Sequence, residues 1–139
     1  MFGIVEEILG AEREHALGVR PLDAATRDEL RERVFSRYGR TSFRLWEAAS
    51  GCASVQDADA WRWIHEFVGS RSCVLFLDLA DGAEMFHVPS GSSLDGLLAN
   101  TYGFVFYVTD ADADFLICFN DHDYLMGWGS AREWIEGRR

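Results

Sequence analysis

The sequence contains no lysine, and all 13 of its basic residues are arginine. Their distribution is uneven, because residues 73–127 contain nine acidic residues and no arginine. A long segment with only negative charges repels phosphate groups, so nucleic acid is not an expected partner. The same charge attracts a basic partner, although its alternative role is simply to keep the protein soluble.

Long apolar runs and leader-like features are also missing. No run approaches the ~18 apolar residues of a membrane span, so no membrane partner is expected. The N-terminal stretch lacks a basic start and is interrupted by Glu6 and Glu7, which argues against a signal peptide. Three cysteines without a CxxC spacing give neither a disulfide framework nor a zinc motif. We therefore expect a cytoplasmic protein.

What is present is enough apolar sequence for one packed core. Hydrophobic residues make up 48% of the chain and aromatic residues 14%, which predicts a single domain over residues 1–139. The first half is typical of helices. Helical spacing of apolar residues and capping patterns predict helices over 2–17 and 27–38, a short one over 42–50, and another that starts at Ser54.

The second half changes in character. Branched and aromatic residues predict strands over 73–79, 84–88, 103–110 and 115–120, a short helix lies within 90–102, and residues 124–129 extend the last strand or form another. A final helix starts at Ser130. The fold class is therefore α+β, with N-terminal helices followed by β-β-α-β-β-α. We expect one mostly antiparallel sheet of four or five strands, with helices packed on it.

Two polar clusters flank the strand over 115–120. The first holds three aspartates in a turn, whose simplest role is to bond local backbone amides. The second is the run 120–123, which contains His122 between Asp121 and Asp123. A carboxylate beside an imidazole suits metal binding or acid–base catalysis, and His87 and His65 are candidates for additional ligands. The structural alternative is that this run caps backbone groups at a strand exit.

The stretch FVFYVTDADADFLICFNDHDYLMGWG resembles the C-terminal signature of a family of small, uncharacterised bacterial proteins. That signature has an aromatic strand, a W/F-L-I-C strand, an N-H-H-D-like cluster and a glycine. Asp121 stands where the family pattern has its first histidine, so the cluster here reads N-x-H-D. Small acidic α+β proteins of this kind are similar to bacterial immunity proteins. The resemblance implies a protein that neutralises a toxin.

These observations favour a non-enzymatic protein-binding module, and an immunity-type protein acting on a basic toxin is its most specific form. No cofactor or catalytic residue is assigned. Acidic and aromatic side chains are expected to form the partner surface: Asp110, Asp112, Asp114, Asp121, Asp123, Tyr124 and Trp128. One alternative is a small metal-dependent hydrolase that uses His87 with Asp121, His122 and Asp123. Another is a regulatory or scaffold domain. The sequence leaves the oligomeric state open.

Overall fold

The structure is a computed structural model and describes residues 3–101 and 103–138, which form six α-helices around one antiparallel sheet of seven strands. The helices are α1 (Ile4–His15), α2 (Ala24–Tyr38), α3 (Leu45–Ala48), α4 (Ile64–Val68), α5 (Gly91–Ala99) and α6 (Ala131–Glu136), and a 3-10 turn over Ala60–Trp63 precedes α4. The strands are β1 (Arg20–Pro21), β2 (Ala53–Gln56), β3 (Cys73–Phe76), β4 (Met85–Val88), β5 (Phe106–Thr109), β6 (Phe115–Phe119) and β7 (Tyr124–Gly129).

The strand order across the sheet is β1-β4-β3-β5-β6-β7-β2. The four strands predicted from sequence form two hairpins, β3–β4 and β5–β6, which lie side by side because β3 also pairs with β5. Strand β7 follows β6 as a third antiparallel neighbour, and β2 closes that side of the sheet. Proline in the two-residue β1 and the short length of β2 limit further pairing at the two edges.

Helices cover both faces of the sheet. On one face, α1, α4, α5 and α6 pack on inward side chains such as Leu75, Phe86 and Ile117. On the other, α2 and α3 pack on Phe76, Leu116 and their neighbours. All five residues of β6 are buried, because side chains on both sides of this central strand meet helices. The parts of the sheet that are open to solvent are strand ends, the edge strand β1 and loops that join the strands.

The sheet has more strands than the four or five predicted from sequence. The prediction of a helix starting at Ser54 was wrong, because Ala53–Gln56 pairs with β7 as an edge strand and helical structure begins only at Ala60. The spacing of Ser54 and Asp57 is that of a capping box, which favours a helix. Pairing of this segment with the edge of β7 outweighs that local preference. Strand β1 is too short to have a sequence signature.

Helix boundaries were predicted to within a few residues. The helix expected over 27–38 begins at Ala24, because Asp23 rather than Thr26 is its capping residue and accepts a hydrogen bond from the Thr26 N–H. The helix expected within 90–102 is capped by Ser90. Two residues of these predicted ranges, Phe2 and Tyr102, lie outside the described residues. Within the described ranges, no helix combines the length and the apolar character needed to cross a membrane.

Candidate functional site: an acidic end of the sheet

The antiparallel topology gathers sequence-distant loops at one end of the sheet. Strands β3 and β6 both finish there, β4 and β7 both begin there, and β5 starts between them. Strand β2 also finishes at this end, since Gln56 pairs with Tyr124 and the Asp57 N–H donates to the Asp123 carbonyl oxygen over 2.9 Å. The loops β2–α4, β3–β4 and β6–β7 therefore lie at the same end of the sheet. The β2–α4 and β6–β7 loops are adjacent, whereas β5, β6 and β7 stand between β2 and β3.

These loops carry seven carboxylates along one end of the sheet. We call this surface the acidic end, and it comprises Asp57, Asp59, Asp78, Asp81, Glu84, Asp121 and Asp123. All except Asp78 are exposed to solvent. Two arginines reach the same region. Arg31 donates to the Ala83 carbonyl oxygen, while Arg44 pairs with Asp121 at 3.7 Å. The surface therefore keeps a large excess of negative charge.

Asp78 is the buried member of the acidic end, with 7% of its surface exposed. Its Oδ1 atom accepts hydrogen bonds from the Leu45 N–H over 2.9 Å and from the Tyr107 hydroxyl over 2.8 Å. The Tyr107 oxygen in turn accepts from the Trp46 N–H over 3.0 Å. Leu45 and Trp46 are the first two residues of α3, and the side chain of Arg44 does not cap that helix. Tyr107 of β5 and Asp78, which lies two residues beyond the end of β3, thus satisfy the N–H groups that a helix N-cap would otherwise bind.

Burial raises the pKa of Asp78 above its ordinary value of 3.8, and nearby Asp81 adds to the effect. The two hydrogen bonds and Arg44 act in the opposite direction but do not cancel it. Burial likewise raises the pKa of Tyr107 and of Cys118, which lies on the same face of the sheet. Both groups therefore stay protonated at neutral pH. Neither has the lowered pKa of an activated nucleophile.

A raised pKa in the folded state gives a testable pH dependence. Between 3.8 and its folded pKa, Asp78 binds more proton in the native state than in the unfolded state, so its contribution to stability falls as pH rises. Because an asparagine Oδ1 can accept the same two hydrogen bonds, we expect Asp78→Asn to remove this dependence. Urea unfolding of both proteins from pH 4 to pH 8 should show the variant gaining stability relative to wild type as pH rises. A difference that is constant with pH would contradict the pKa shift.

A cleft of about 170 Å³ opens beside Asp78. Asp78, Asp81 and Asp121 line it, together with Arg44. The remaining lining is apolar and consists of Phe43, Ala80 and Val105. Phe43 is the most exposed large hydrophobic residue described, at 63%. The cleft thus combines negative charge with apolar walls, which suits an organic cation better than a bare ion.

The run 120–123 has the structural role that was considered as the alternative to metal binding: it caps backbone groups at the exit of β6. Asn120 is 3% exposed, and its Oδ1 accepts from the backbone N–H groups of His122 and Tyr124 over 2.9 and 3.1 Å. These bonds fix the β6–β7 turn, in which Asp123 has a left-handed φ of 64°. Asp121 and His122 project outward, and the His122 ring contacts Trp46 edge-on. The turn therefore presents Asp121 and Asp123 at the acidic end.

The partner surface expected from sequence is divided between two ends of the sheet. Asp110, Asp112 and Asp114 precede β6, whereas Asp121 and Asp123 follow it, so roughly 17 Å of strand separates the two groups. At the far end, Asp110 bonds the backbone N–H groups of Asp112 and Asp114, as a turn would require. Arginines of α2 also reach this turn: Arg37 pairs with Asp114 at 3.5 Å, and Arg33 donates to the Ala111 carbonyl. The nine acids of residues 73–127 thus do not form one surface.

The two aromatic residues of the expected surface differ in their exposure to solvent. Trp128 is 1% exposed and packs beneath α2 and α3, so the expectation that it would be exposed was wrong. Its flanking glycines serve close backbone contacts instead: Gly127 lies against α6, and Gly129 lies against Tyr38. Tyr124 is 38% exposed at the start of β7 and remains available at the acidic end.

The proposed metal ligands are not brought together. His87 lies on β4. Across the sheet, it is aligned with Val74 of β3, Thr109 of β5 and Leu116 of β6. Leu116 precedes His122 by six residues. The two histidines are therefore separated by roughly 14 Å across the sheet and roughly 20 Å along it. Over residues 3–101 and 103–138, no group of three or more His, Cys, Asp or Glu side chains could hold a metal ion. The ligand set expected for a metal-dependent hydrolase, with His87 beside His122, is therefore not assembled among these residues.

Sequence reasoning missed Asp78, Arg44 and Phe43 as members of the site. Asp78 carried a usable signal, because it is a single carboxylate in the otherwise apolar run CVLFLDL. A charge in such a run is costly to bury and therefore indicates a specific partner. Arg44 and Phe43 carried no such signal, since they stand in a stretch for which the sequence predicted only a short helix. The chain matches no family model, no curated protein and no solved structure.

Proposed function

We propose that this protein is a non-enzymatic binding module whose acidic end docks a basic protein. The observation that carries the proposal is that three loops place seven carboxylates along one end of a sheet whose faces are covered by helices. Negative charge on one surface steers a basic partner and speeds its association. Exposed Phe43, Leu79 and Tyr124 supply apolar contact area beside the charge.

The specific form favoured by the sequence resemblance is an immunity-type protein that blocks a basic toxin. A regulatory or scaffold domain with a basic, non-toxic partner uses the same surface. The product of the gene next to this one in the genome is the first partner to test. Protection of cells that express that product would support the immunity role, whereas binding without toxicity would support the regulatory role.

The location of the binding surface can be tested with two matched double variants. Asp81→Asn with Asp123→Asn removes two exposed charges from the acidic end, and asparagine tolerates the left-handed backbone of residue 123. Asp112→Asn with Asp114→Asn removes two exposed charges from the opposite end. We expect the first variant to weaken binding of the basic partner about tenfold at low salt, mostly by slowing association, and the second to change it less than twofold.

Affinity is to be measured by surface plasmon resonance at two salt concentrations. Because the surface contribution is electrostatic, the tenfold difference should shrink as salt is raised. Equal weakening by both double variants would mean that net charge, rather than this surface, governs binding. That outcome would reject the proposal.

A further inference from the structure

The cleft beside Asp78 has the features of a recognition pocket for one side chain. Its volume of about 170 Å³ is comparable to the roughly 150 Å³ that accommodates a benzene-sized molecule in a protein interior. It lies inside the acidic end, between the α2–α3 connection that carries Phe43 and the β3–β4 loop that carries Asp81. A partner docked on the acidic end would therefore cover its mouth.

Asp78 directs the chemistry of this cleft. Both of its hydrogen bonds within the described chain end on Oδ1, so Oδ2 is the carboxylate oxygen left to receive a ligand. The carboxyl group is held in place by α3 and by Tyr107, which means that little side-chain freedom is lost on binding. A carboxylate oxygen that accepts no hydrogen bond from the described residues is a strong acceptor for a cationic donor.

The charge balance of the cleft favours a cation. Three carboxylates and one guanidinium line it, which leaves a formal charge of −2. The guanidinium of Arg44 is already paired with Asp121, and it also lies over the Phe43 ring at 5.7 Å from the ring centre. The apolar side chains of Phe43, Ala80 and Val105 provide walls for an aliphatic stem. A charged head on an apolar stem matches these features.

Resting on the function proposed above, we infer that this cleft receives an arginine side chain of the partner protein, with its guanidinium on Asp78 Oδ2 and its stem between Phe43 and Val105. Arginine fits better than lysine, because a planar guanidinium can reach the Asp78 oxygen and a rim carboxylate with separate N–H groups. An arginine anchored in a pocket is also a residue type that dominates binding energy at interfaces.

The inference can be tested by NMR with short peptides. The probe is the capped tripeptide Gly-Arg-Gly, and the matched peptides carry citrulline, which replaces the guanidinium by a neutral urea, or lysine. The backbone amides of Leu45 and Trp46 report on the cleft, because they bond Asp78 and Tyr107. We expect saturable shifts of these amides with the arginine peptide, at least tenfold weaker binding of the citrulline peptide, and several-fold weaker binding of the lysine peptide. Equal binding of all three peptides would overturn the assignment.

Two variants complete the test. Asp78→Asn keeps both Oδ1 hydrogen bonds and should weaken binding of the arginine peptide at least tenfold, whereas Asp112→Asn, at the other end of the sheet, should leave it unchanged. Phe43→Ala removes an exposed wall without touching the core, and a three- to fivefold loss is expected. If Asp78→Asn binds the peptide as wild type does, the inference fails. The proposed function would survive that result as long as the Asp81 and Asp123 variant still weakens the partner selectively.

Discussion

Replacing Asp78 by alanine is expected to lower the free energy of unfolding by about 2 to 4 kcal/mol. The substitution removes the acceptor of the Leu45 N–H and of the Tyr107 hydroxyl, and both donors lie in buried surroundings. An unsatisfied buried donor costs roughly 1 to 3 kcal/mol, and here two are left at once. The loss should also detach α3, because Asp78 and Tyr107 take the place of its missing cap. Urea denaturation followed by tryptophan fluorescence measures the change.

Asparagine at the same position is the matched control. It retains an Oδ1 acceptor and removes the negative charge, with an NH2 group in place of Oδ2, so Asp78→Asn should be at least as stable as wild type at neutral pH. Hydrogen exchange at the Leu45 and Trp46 amides should speed up in the alanine variant and not in the asparagine variant. Equal destabilisation by both substitutions would mean that the charge of Asp78, rather than its acceptor, holds α3 in place.

The second large effect is expected at Gly129, at the end of β7. Its φ is +63°, and a Cβ added there would meet the Asp114 carbonyl oxygen and lie 2.6 Å from the Tyr38 hydroxyl oxygen. Gly129→Ala should therefore lower the free energy of unfolding by about 2 to 4 kcal/mol, because backbone strain and steric crowding add. The Tyr38 hydroxyl donates to the Ala113 carbonyl over 2.6 Å, so the crowding also disturbs the contact between α2 and the β5–β6 turn.

Gly51 separates these two causes. It has a similar φ of +85°, but a Cβ there would meet nothing within 4 Å. Gly51→Ala carries only the backbone strain and should cost about 1 kcal/mol. Thermal unfolding of the two variants side by side gives the comparison. Similar losses at both positions would show that the packing around Gly129 relaxes to admit a methyl group.

The strands that form the centre of the sheet could be predicted because their amino-acid composition suits the buried positions that they occupy. Residues of β3, β5 and β6 are branched or aromatic and face helices on both sides, so composition alone identifies them. Strand β2 could not be predicted in this way. Its sequence, Ala53–Gln56, is a weak strand former, and only pairing with β7 makes it a strand.

The acidic residues could be identified from the sequence, but their grouping could not. Sequence order makes Asp110–Asp114 and Asp121–Asp123 near neighbours, yet a strand of five buried residues lies between them and carries the chain across the sheet. Conversely, Asp57 and Asp123 are far apart in sequence and are linked by a backbone hydrogen bond of 2.9 Å. Spatial grouping at a sheet end depends on strand direction and strand order, which local patterns do not encode.

Residues on the covered faces of the sheet and residues in the loops at its ends are subject to different constraints. Side chains along β3, β5 and β6 are constrained by helices on both sides, so substitutions there act on folding. The β3–β4 and β6–β7 loops join strands at one end of the sheet, and most of their acidic side chains face solvent. New partners can thus be acquired by exchanging loop residues while the framework is preserved, much as antibody domains diversify their binding loops.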